Sequence, residues 1–126
     1  MGVGLPENIL ESIALGIDMF DCVLPSRNAR HGILYTWDGV INIKNLKWAE
    51  DFNPIDPNSL SPTSRTHTKS YLRHLFKVGE VSGMQIASLH NLTFYLELVN
   101  TAREKMIDGT FSTWKDGVMR NISNRL

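Results

Sequence analysis

The residues that most constrain the fold form a short apolar run, IDMFDCVL, at 17–24. Gly16 and Pro25 bound this run, and such a profile predicts a buried β-strand. The other β-type segments form a hairpin, so the sequence offers this strand no parallel neighbour. A lone buried strand leaves its backbone N–H and C=O groups without partners. Either another chain supplies those partners, or the sequence is the end piece of a larger α/β protein.

Two elements flank this run. Pro6 stands in a favourable first-turn position, and apolar residues recur at helical spacing behind it, which predicts a helix over 6–16. Residues 31–44 contain two β-type runs around Asp38 and Gly39, a strong turn signal. A β-hairpin is expected there.

The middle of the chain combines a loop with an amphipathic helix. Residues 51–64 include three prolines and predict a loop without regular structure. Residues 65–80 then place apolar and basic side chains on opposite faces of a predicted helix. The basic positions, which we call the basic stripe, are Arg65, Lys69, Arg73 and Lys77. The stripe is either a solvated helix face or a contact for a nucleic-acid backbone.

A long helix follows from about Met84 to Met106 and ends at Gly109. Its inward candidates include Leu92, Leu96 and Val99. The remaining tail is weakly helical, and Gly117 is expected to interrupt it.

Composition restricts the class of protein. The 126 residues include 13 basic and 13 acidic side chains, so any nucleic-acid partner must be held by a local patch rather than by bulk charge. Cys22 is the single cysteine and cannot form an internal disulfide, which fits a reducing compartment. The sequence contains no apolar run of membrane-spanning length and does not open like a signal peptide. We expect a cytoplasmic protein with no membrane association.

Asp21 places a carboxylate within the apolar run, and its presence there requires an explanation. With a period of two it shares a strand face with Ile17, Met19 and Val23. A structural interpretation is that it caps the next turn or pairs with Arg27. The functional interpretation is a catalytic carboxylate at the end of a strand.

Four segments of the sequence resemble the carboxy-terminal third of the bacterial tRNA-guanine transglycosylases, the queuine tRNA-ribosyltransferase family. They are MGVGLPENILESIALGIDMFDCVLPSRNARHG, DGVINIKN, YLRHL and HNLTFY. The resemblance runs from residue 1 to about 108. It implies an α/β fold, the carboxy-terminal portion of a (β/α)8 TIM barrel with a zinc-binding insertion. A whole barrel needs about 250 residues, more than this chain has.

The resemblance divides the chain into three units. Residues 1–50 would hold helix 7, strand 8 and the hairpin of the barrel; residues 51–92 the insertion; and residues 93–126 the terminal helices. Tyr71 and His74 match positions at the family's homodimer contact.

The resemblance also implies roles for individual residues. The family exchanges guanine at the wobble position of tRNA for a 7-deazaguanine, and Asp21 matches its nucleophile. Met1 and Gly2 match its base pocket, while Arg27 and Arg30, expected in a loop, match arginines that contact the tRNA anticodon loop. Two solvated surface arginines are the alternative.

Most of the family's site lies upstream of the matched residues, so the isolated chain is expected to be inactive. A non-catalytic tRNA-binding or dimerisation module of the same family is the competing function.

The family's zinc ligands are three cysteines spaced C-x-C-x2-C and a histidine. The aligned residues here are Ser59, Ser61, Ser64 and His90. Zinc prefers thiolate and imidazole to neutral hydroxyls, so we expect no bound zinc and no other cofactor.

Overall fold

A computed structural model describes residues 1–126 as six α-helices, one 3-10 turn and a β-hairpin. The helices are α1 (Pro6–Ala14), α2 (Leu24–Arg30), α3 (Pro62–Thr66), α4 (Lys69–Val78), α5 (Val81–Ile107) and α6 (Phe111–Ile122). The strands are β1 (Ile33–Thr36) and β2 (Gly39–Asn42), and the 3-10 turn is Leu46–Trp48. This mixture of helices with a small sheet is consistent with a piece of an α/β protein.

The predicted strand at 17–24 is wrong. Residues 17–22 form no strand, and Leu24 already begins α2. Met19 is 86% exposed, and the only sheet is the pair β1–β2. Ile17 and Val23 are also exposed, so the predicted burial of the run is not observed, and hydrophobicity alone does not supply backbone partners within the chain.

The predicted helix over 6–16 is confirmed as α1, which ends two residues earlier. The hairpin is confirmed with a shifted turn. Thr36 pairs with Gly39, so the two-residue loop consists of Trp37 and Asp38. Gly39 has a φ of 148°, and a Cβ there would lie 2.7 Å from the backbone oxygen of Asn124. The glycine therefore permits the carboxy-terminal tail to lie against β2.

The predicted loop at 51–64 is irregular up to Ser61, and a short helix, α3, begins at Pro62. The amphipathic helix starts at Lys69 rather than 65, because the Thr68 side chain accepts a hydrogen bond from the Tyr71 backbone N–H and caps α4 there. Leu72 and Leu75 are buried as the pattern predicts.

The long helix is confirmed as α5, but its inward face was predicted wrongly. Leu92 and Leu96 are 47% and 63% exposed, and Val99 is half-buried. The buried face is formed instead by Ile86, Ala87, His90, Asn91, Phe94, Tyr95, Leu98 and Ala102. Apolar residues occur on both faces of α5, so the contacts with α2, α4 and β1 decide which face is covered.

Gly117 does not interrupt the tail, which forms α6 as one continuous helix. A glycine inside a helix costs about 1 kcal/mol relative to alanine. The burial of Phe111 and Ile122 offsets that cost, and Lys115 forms an ion pair with Glu11 of α1 at 2.9 Å.

Helix α5 joins two apolar clusters. The first packs α1 and α6 against the second half of α5, with Leu10, Phe94 and Leu98 at its centre. The second packs the hairpin and α4 against the first half of α5, with Leu34 and Leu72 fully buried. The helix continues without a break through the predicted unit boundary at residue 92, and the division into three units stays a prediction.

Candidate active site

Two stretches without regular secondary structure, residues 1–4 and 17–22, meet at the amino terminus. The Gly2 N–H donates a hydrogen bond to the Asp21 backbone oxygen at 2.7 Å. Gly4 is buried at this contact, where a Cβ would lie 2.6 Å from Cys22 Sγ and 2.8 Å from Leu24 Cδ1. The missing side chain of Gly4 therefore leaves room for the side chains of Cys22 and Leu24.

Tyr95 of α5 fixes the same contact from the core side. Its hydroxyl donates a 2.5 Å hydrogen bond to the backbone oxygen of Gly4. Burial raises the pKa of Tyr95 well above its ordinary value, so the hydroxyl remains a donor at neutral pH. The backbone beside Asp21 is thus anchored to the longest helix.

The Asp21 carboxylate itself is exposed and without a protein partner. It accepts no side-chain hydrogen bond and forms no ion pair, with Arg27 or any other cation. Val23 occupies the N-cap position of α2, and no side chain caps that helix. The structural interpretation of Asp21, as a cap or a partner of Arg27, therefore does not describe this chain.

Met1 and Gly2, the predicted base-pocket residues, lie beside Asp21 through the backbone hydrogen bond. Both are exposed, and no atom lies within 4 Å of the position that a Cβ on Gly2 would take. The space above the glycine is therefore open beside the Asp21 backbone.

Arg27 and Arg30 lie on α2 rather than in the predicted loop. Pro25 stands in the first turn, where its fixed φ and missing N–H favour a helix start, and the sequence interpretation took it only as a strand end. Both arginines are exposed and form no ion pair. Their spacing of three places them on neighbouring positions of one helix face.

Asn91 of α5 holds α2 in place from beneath. Its fully buried amide donates to the backbone oxygens of Pro25 at 3.0 Å and Ile33 at 2.9 Å. Its oxygen accepts a hydrogen bond from the Tyr35 N–H at 3.1 Å. One side chain therefore fixes α2, and with it both arginines, relative to β1 and α5.

The basic stripe is not a continuous surface. Arg65 lies on α3, one element before the others. Lys69 forms an ion pair with Asp51 at 3.7 Å, and Arg73 Nε donates to the Asn45 backbone oxygen at 3.0 Å. Two of its four cations thus have partners within the chain, which favours the interpretation as part of the protein's own surface structure.

The residues aligned with the family's zinc ligands are all buried: Ser59, Ser61, Ser64 and His90. His90 Nε2–H donates to the Tyr35 backbone oxygen at 2.7 Å, and His90 Nδ1 accepts from the Ser64 hydroxyl at 2.8 Å. Burial lowers the pKa of His90, so the ring is neutral at neutral pH. Both ring nitrogens are therefore committed to hydrogen bonds.

Glu97 lies seven residues after His90 on the buried side of α5 and holds the preceding part of the loop. Its Oε1 accepts from the Leu60 N–H at 2.6 Å and from the Ser59 hydroxyl at 3.5 Å. Its Oε2 accepts from the indole N–H of Trp37 at 3.3 Å. We call Ser59, Ser61, Ser64, His90 and Glu97 the serine–histidine cluster.

These donors do not fit the zinc that the family resemblance implies. Three neutral hydroxyls and one imidazole replace the thiolates that a structural zinc site uses, and the imidazole nitrogens already have partners. Nowhere in the chain do three His, Cys, Asp or Glu side chains come close enough to share a metal ion.

Tyr71 and His74, the predicted dimer-contact residues, are exposed on α4. The ring of Tyr71 stacks on His67 with centroids 5.6 Å apart. Separately, a cleft lined by Asp18, Phe20 and Arg103 of α5, among others, does not include Asp21. The helices all lack the combination of length and apolar character that crossing a bilayer requires.

Sequence reasoning missed three positioning residues, all on α5: Asn91, Tyr95 and Glu97. The sequence contained a signal for them. Asn91 and Tyr95 are four residues apart and Glu97 is seven residues after His90, so each pair shares a helix face. The inward candidates were Leu92, Leu96 and Val99 instead, so Asn91, Tyr95 and Glu97 were not considered as anchors.

Comparison with known proteins extends the resemblance. The family model described as queuine tRNA-ribosyltransferase matches residues 1–124, so the likeness does not stop near 108 as expected but includes α6.

Three relatives named queuine tRNA-ribosyltransferase show the degree of similarity. The Aquifex aeolicus protein is 46% identical over 126 residues, which is 100% of this chain and 33% of the relative. The proteins of Caulobacter vibrioides and Oleidesulfovibrio alaskensis are 50% and 54% identical over 115 residues, 91% of this chain and 31% and 30% of the relatives. The chain thus spans about a third of the length of these proteins, and it belongs to the queuine tRNA-ribosyltransferase family.

Proposed function

We propose that this chain supplies the nucleophile side of a tRNA-guanine transglycosylase site, with Asp21 as the attacking carboxylate. The observation that carries the proposal is the state of this side chain. Asp21 is an exposed carboxylate with no ion pair and no side-chain hydrogen bond. Its backbone oxygen accepts a hydrogen bond from Gly2, in the amino-terminal segment that Tyr95 anchors through Gly4. A group that stabilises nothing in the fold is available to bond a substrate.

The reaction is the exchange of guanine at the wobble position of tRNA for a 7-deazaguanine. An Asp21 oxygen bonds the anomeric carbon of the ribose while the bond from that carbon to guanine breaks. The departing base takes the electron pair and a proton from an acid, which the family resemblance assigns to residues upstream of this chain. The incoming base then displaces the carboxylate, which restores Asp21 and retains the configuration at the sugar.

Met1 and Gly2 form one edge of the base pocket. The open space above Gly2 accommodates a flat heterocycle, and the hydrogen bond from Gly2 to the Asp21 backbone keeps that edge beside the nucleophile. The base is therefore next to the carboxylate when its bond to ribose breaks.

Arg27 and Arg30 hold the anticodon loop. Their exposed guanidinium groups, free of ion pairs and borne by a helix that Asn91 fixes, can bind phosphate oxygens bidentately. Such contacts fix a single-stranded loop whose target nucleotide is splayed out towards the nucleophile.

The wider assignment follows from the family. Residues 1–50 form the last part of a (β/α)8 barrel, residues 51–92 its insertion and residues 93–126 the terminal helices. The exposed apolar side chains of 17–23 would pack in the barrel, and Tyr71 with His74 would contact a second copy. A tRNA substrate implies a cytoplasmic site of action.

The test uses a hybrid in which this chain replaces the matched third of the Aquifex aeolicus relative. The hybrid should incorporate labelled guanine into cognate tRNA, whereas the isolated chain should show no turnover. Asp21→Asn should lower the exchange rate of the hybrid roughly 10³-fold or more, because it removes the nucleophile. Asp18→Asn, three residues away and equally exposed, is the matched control and should exchange at the unsubstituted rate.

An Asp21→Asn hybrid that exchanges within tenfold of the unsubstituted hybrid would contradict the assignment of Asp21. A hybrid that binds tRNA but exchanges no base in any form would support the competing function, a non-catalytic tRNA-binding module.

A further inference from the structure

The serine–histidine cluster has the spacing of a metal site and the contacts of a hydrogen-bonded one. We infer that Glu97 and His90 together anchor residues 59–64 to α5 without a metal ion, and that Glu97 supplies the charge that binds the loop. In this chain a carboxylate and an imidazole thus perform the cross-linking that zinc performs in a thiolate site.

The first step of the argument is that both ends of the segment are tied to the same helix. Glu97 accepts hydrogen bonds from Leu60 and Ser59 at the start, at 2.6 and 3.5 Å. His90 accepts from Ser64 at the end, at 2.8 Å. Seven residues of α-helix separate the two anchors, roughly 10 Å along the axis, which the intervening loop spans.

The second step concerns charge. Two acidic side chains lie near His90: Asp56, which accepts from the Asn58 N–H within its own turn, and Glu97, whose carboxylate reaches across from α5 to Ser59 and Leu60. Hydrogen bonds to an ionised acceptor are about twice as strong as neutral ones. Glu97 gathers a backbone N–H, a hydroxyl and the Trp37 indole N–H, so it joins the loop to the hairpin as well as to α5.

The third step is that the serine hydroxyls are used locally. Ser59 Oγ accepts from the Ser61 N–H at 3.1 Å, and Ser61 Oγ shares a hydrogen bond with Thr63 Oγ1 at 2.8 Å. These contacts shape the turn and give the hydroxyls partners other than an ion. The cluster is therefore a satisfied hydrogen-bond network rather than an apo metal site.

The experiment measures amide hydrogen exchange at Leu60 together with the metal content of the purified chain. Unsubstituted protein should carry less than stoichiometric zinc, and a chelator should leave exchange at Leu60 unchanged. Glu97→Ala should speed exchange at Leu60 by about tenfold or more, because the amide loses a charged acceptor. The matched control is Glu104→Ala, an exposed glutamate on the same helix, which should leave Leu60 unchanged.

Glu97→Gln is the second variant, and it tests the anchoring of Leu60 by Glu97 if Glu97→Ala does not fold. It keeps an acceptor oxygen but removes the charge, so exchange at Leu60 should be faster than in Glu104→Gln, while the buried Ile122 amide remains unaffected. One bound zinc per chain whose removal speeds exchange at Leu60 would overturn the inference. Equal exchange in the Glu97 and Glu104 variants would also overturn it.

Discussion

Asp21 and the serine–histidine cluster are two polar regions that differ in how their groups are satisfied. Asp21 is exposed and its carboxylate has no protein partner. In the cluster, His90 is fully buried and both of its nitrogens are hydrogen-bonded. The fold holds the backbone of the first region and leaves its side chain free, whereas it uses every side chain of the second.

The difference separates a side chain that makes no contact within the fold from side chains that stabilise it. A carboxylate that contributes nothing to folding can be replaced without loss of stability and is available for chemistry. A buried imidazole with two partners is costly to remove, because its partners lose their hydrogen bonds in a site that water does not reach. The two regions should therefore respond to mutation in opposite ways, one in activity and the other in stability.

The largest effect on stability is expected for His90→Ala. The substitution opens a cavity and leaves the Tyr35 carbonyl and the Ser64 hydroxyl without their partner, which should lower the free energy of unfolding by about 3 kcal/mol. Urea unfolding of the chain measures it. His74→Ala is the control, since this exposed histidine on α4 makes no side-chain hydrogen bond and should change stability by less than about 0.5 kcal/mol.

Equal stability of the two histidine variants would break the comparison, because the cluster would then contribute no more than an exposed surface residue. An Asp21→Asn variant with unchanged stability in the same assay would support the comparison, because the carboxylate would then contribute nothing to folding.

A smaller effect is expected for tRNA binding by α2. Arg27→Ala and Arg30→Ala, made in the hybrid with the Aquifex aeolicus relative, should each weaken binding of an anticodon stem-loop by about tenfold. Each should also flatten the dependence of log affinity on log salt by about 0.7, because one phosphate contact to a single strand is lost. Titrations at several salt concentrations give both quantities.

Arg120→Ala is the matched control for these variants, since Arg120 is an exposed arginine on α6. If Arg120→Ala weakened tRNA binding as much as Arg27→Ala, the affinity would depend on net charge rather than on contacts with α2. Unchanged binding in all three variants would remove the arginines from the interface.

Local patterns predicted most of the elements. Pro6 and the spacing behind it predicted α1, the Asp38-Gly39 pair indicated the hairpin, and the long run that ends at Gly109 predicted α5. These features depend on neighbouring residues, which the sequence contains in full.

Other features depend on contacts between distant residues and were predicted wrongly. The strand at 17–24 lacked a partner for its backbone, and α5 buries the face of His90 and Asn91 instead of Leu92 and Leu96 because α2, β1 and the loop pack there. Of the candidate site, the resemblance gave the aligned positions, but the free state of Asp21 and the anchoring by Glu97 needed the three-dimensional arrangement.

The central claim is that Asp21 bonds the ribose, and covalent trapping tests it most directly. The hybrid is mixed with cognate tRNA without an incoming base and quenched with acid, and the modified peptide is mapped by mass spectrometry. The account predicts an RNA adduct on Asp21 that Asp18→Asn retains and Asp21→Asn abolishes. An adduct on another residue, or one that persists in Asp21→Asn, would contradict it.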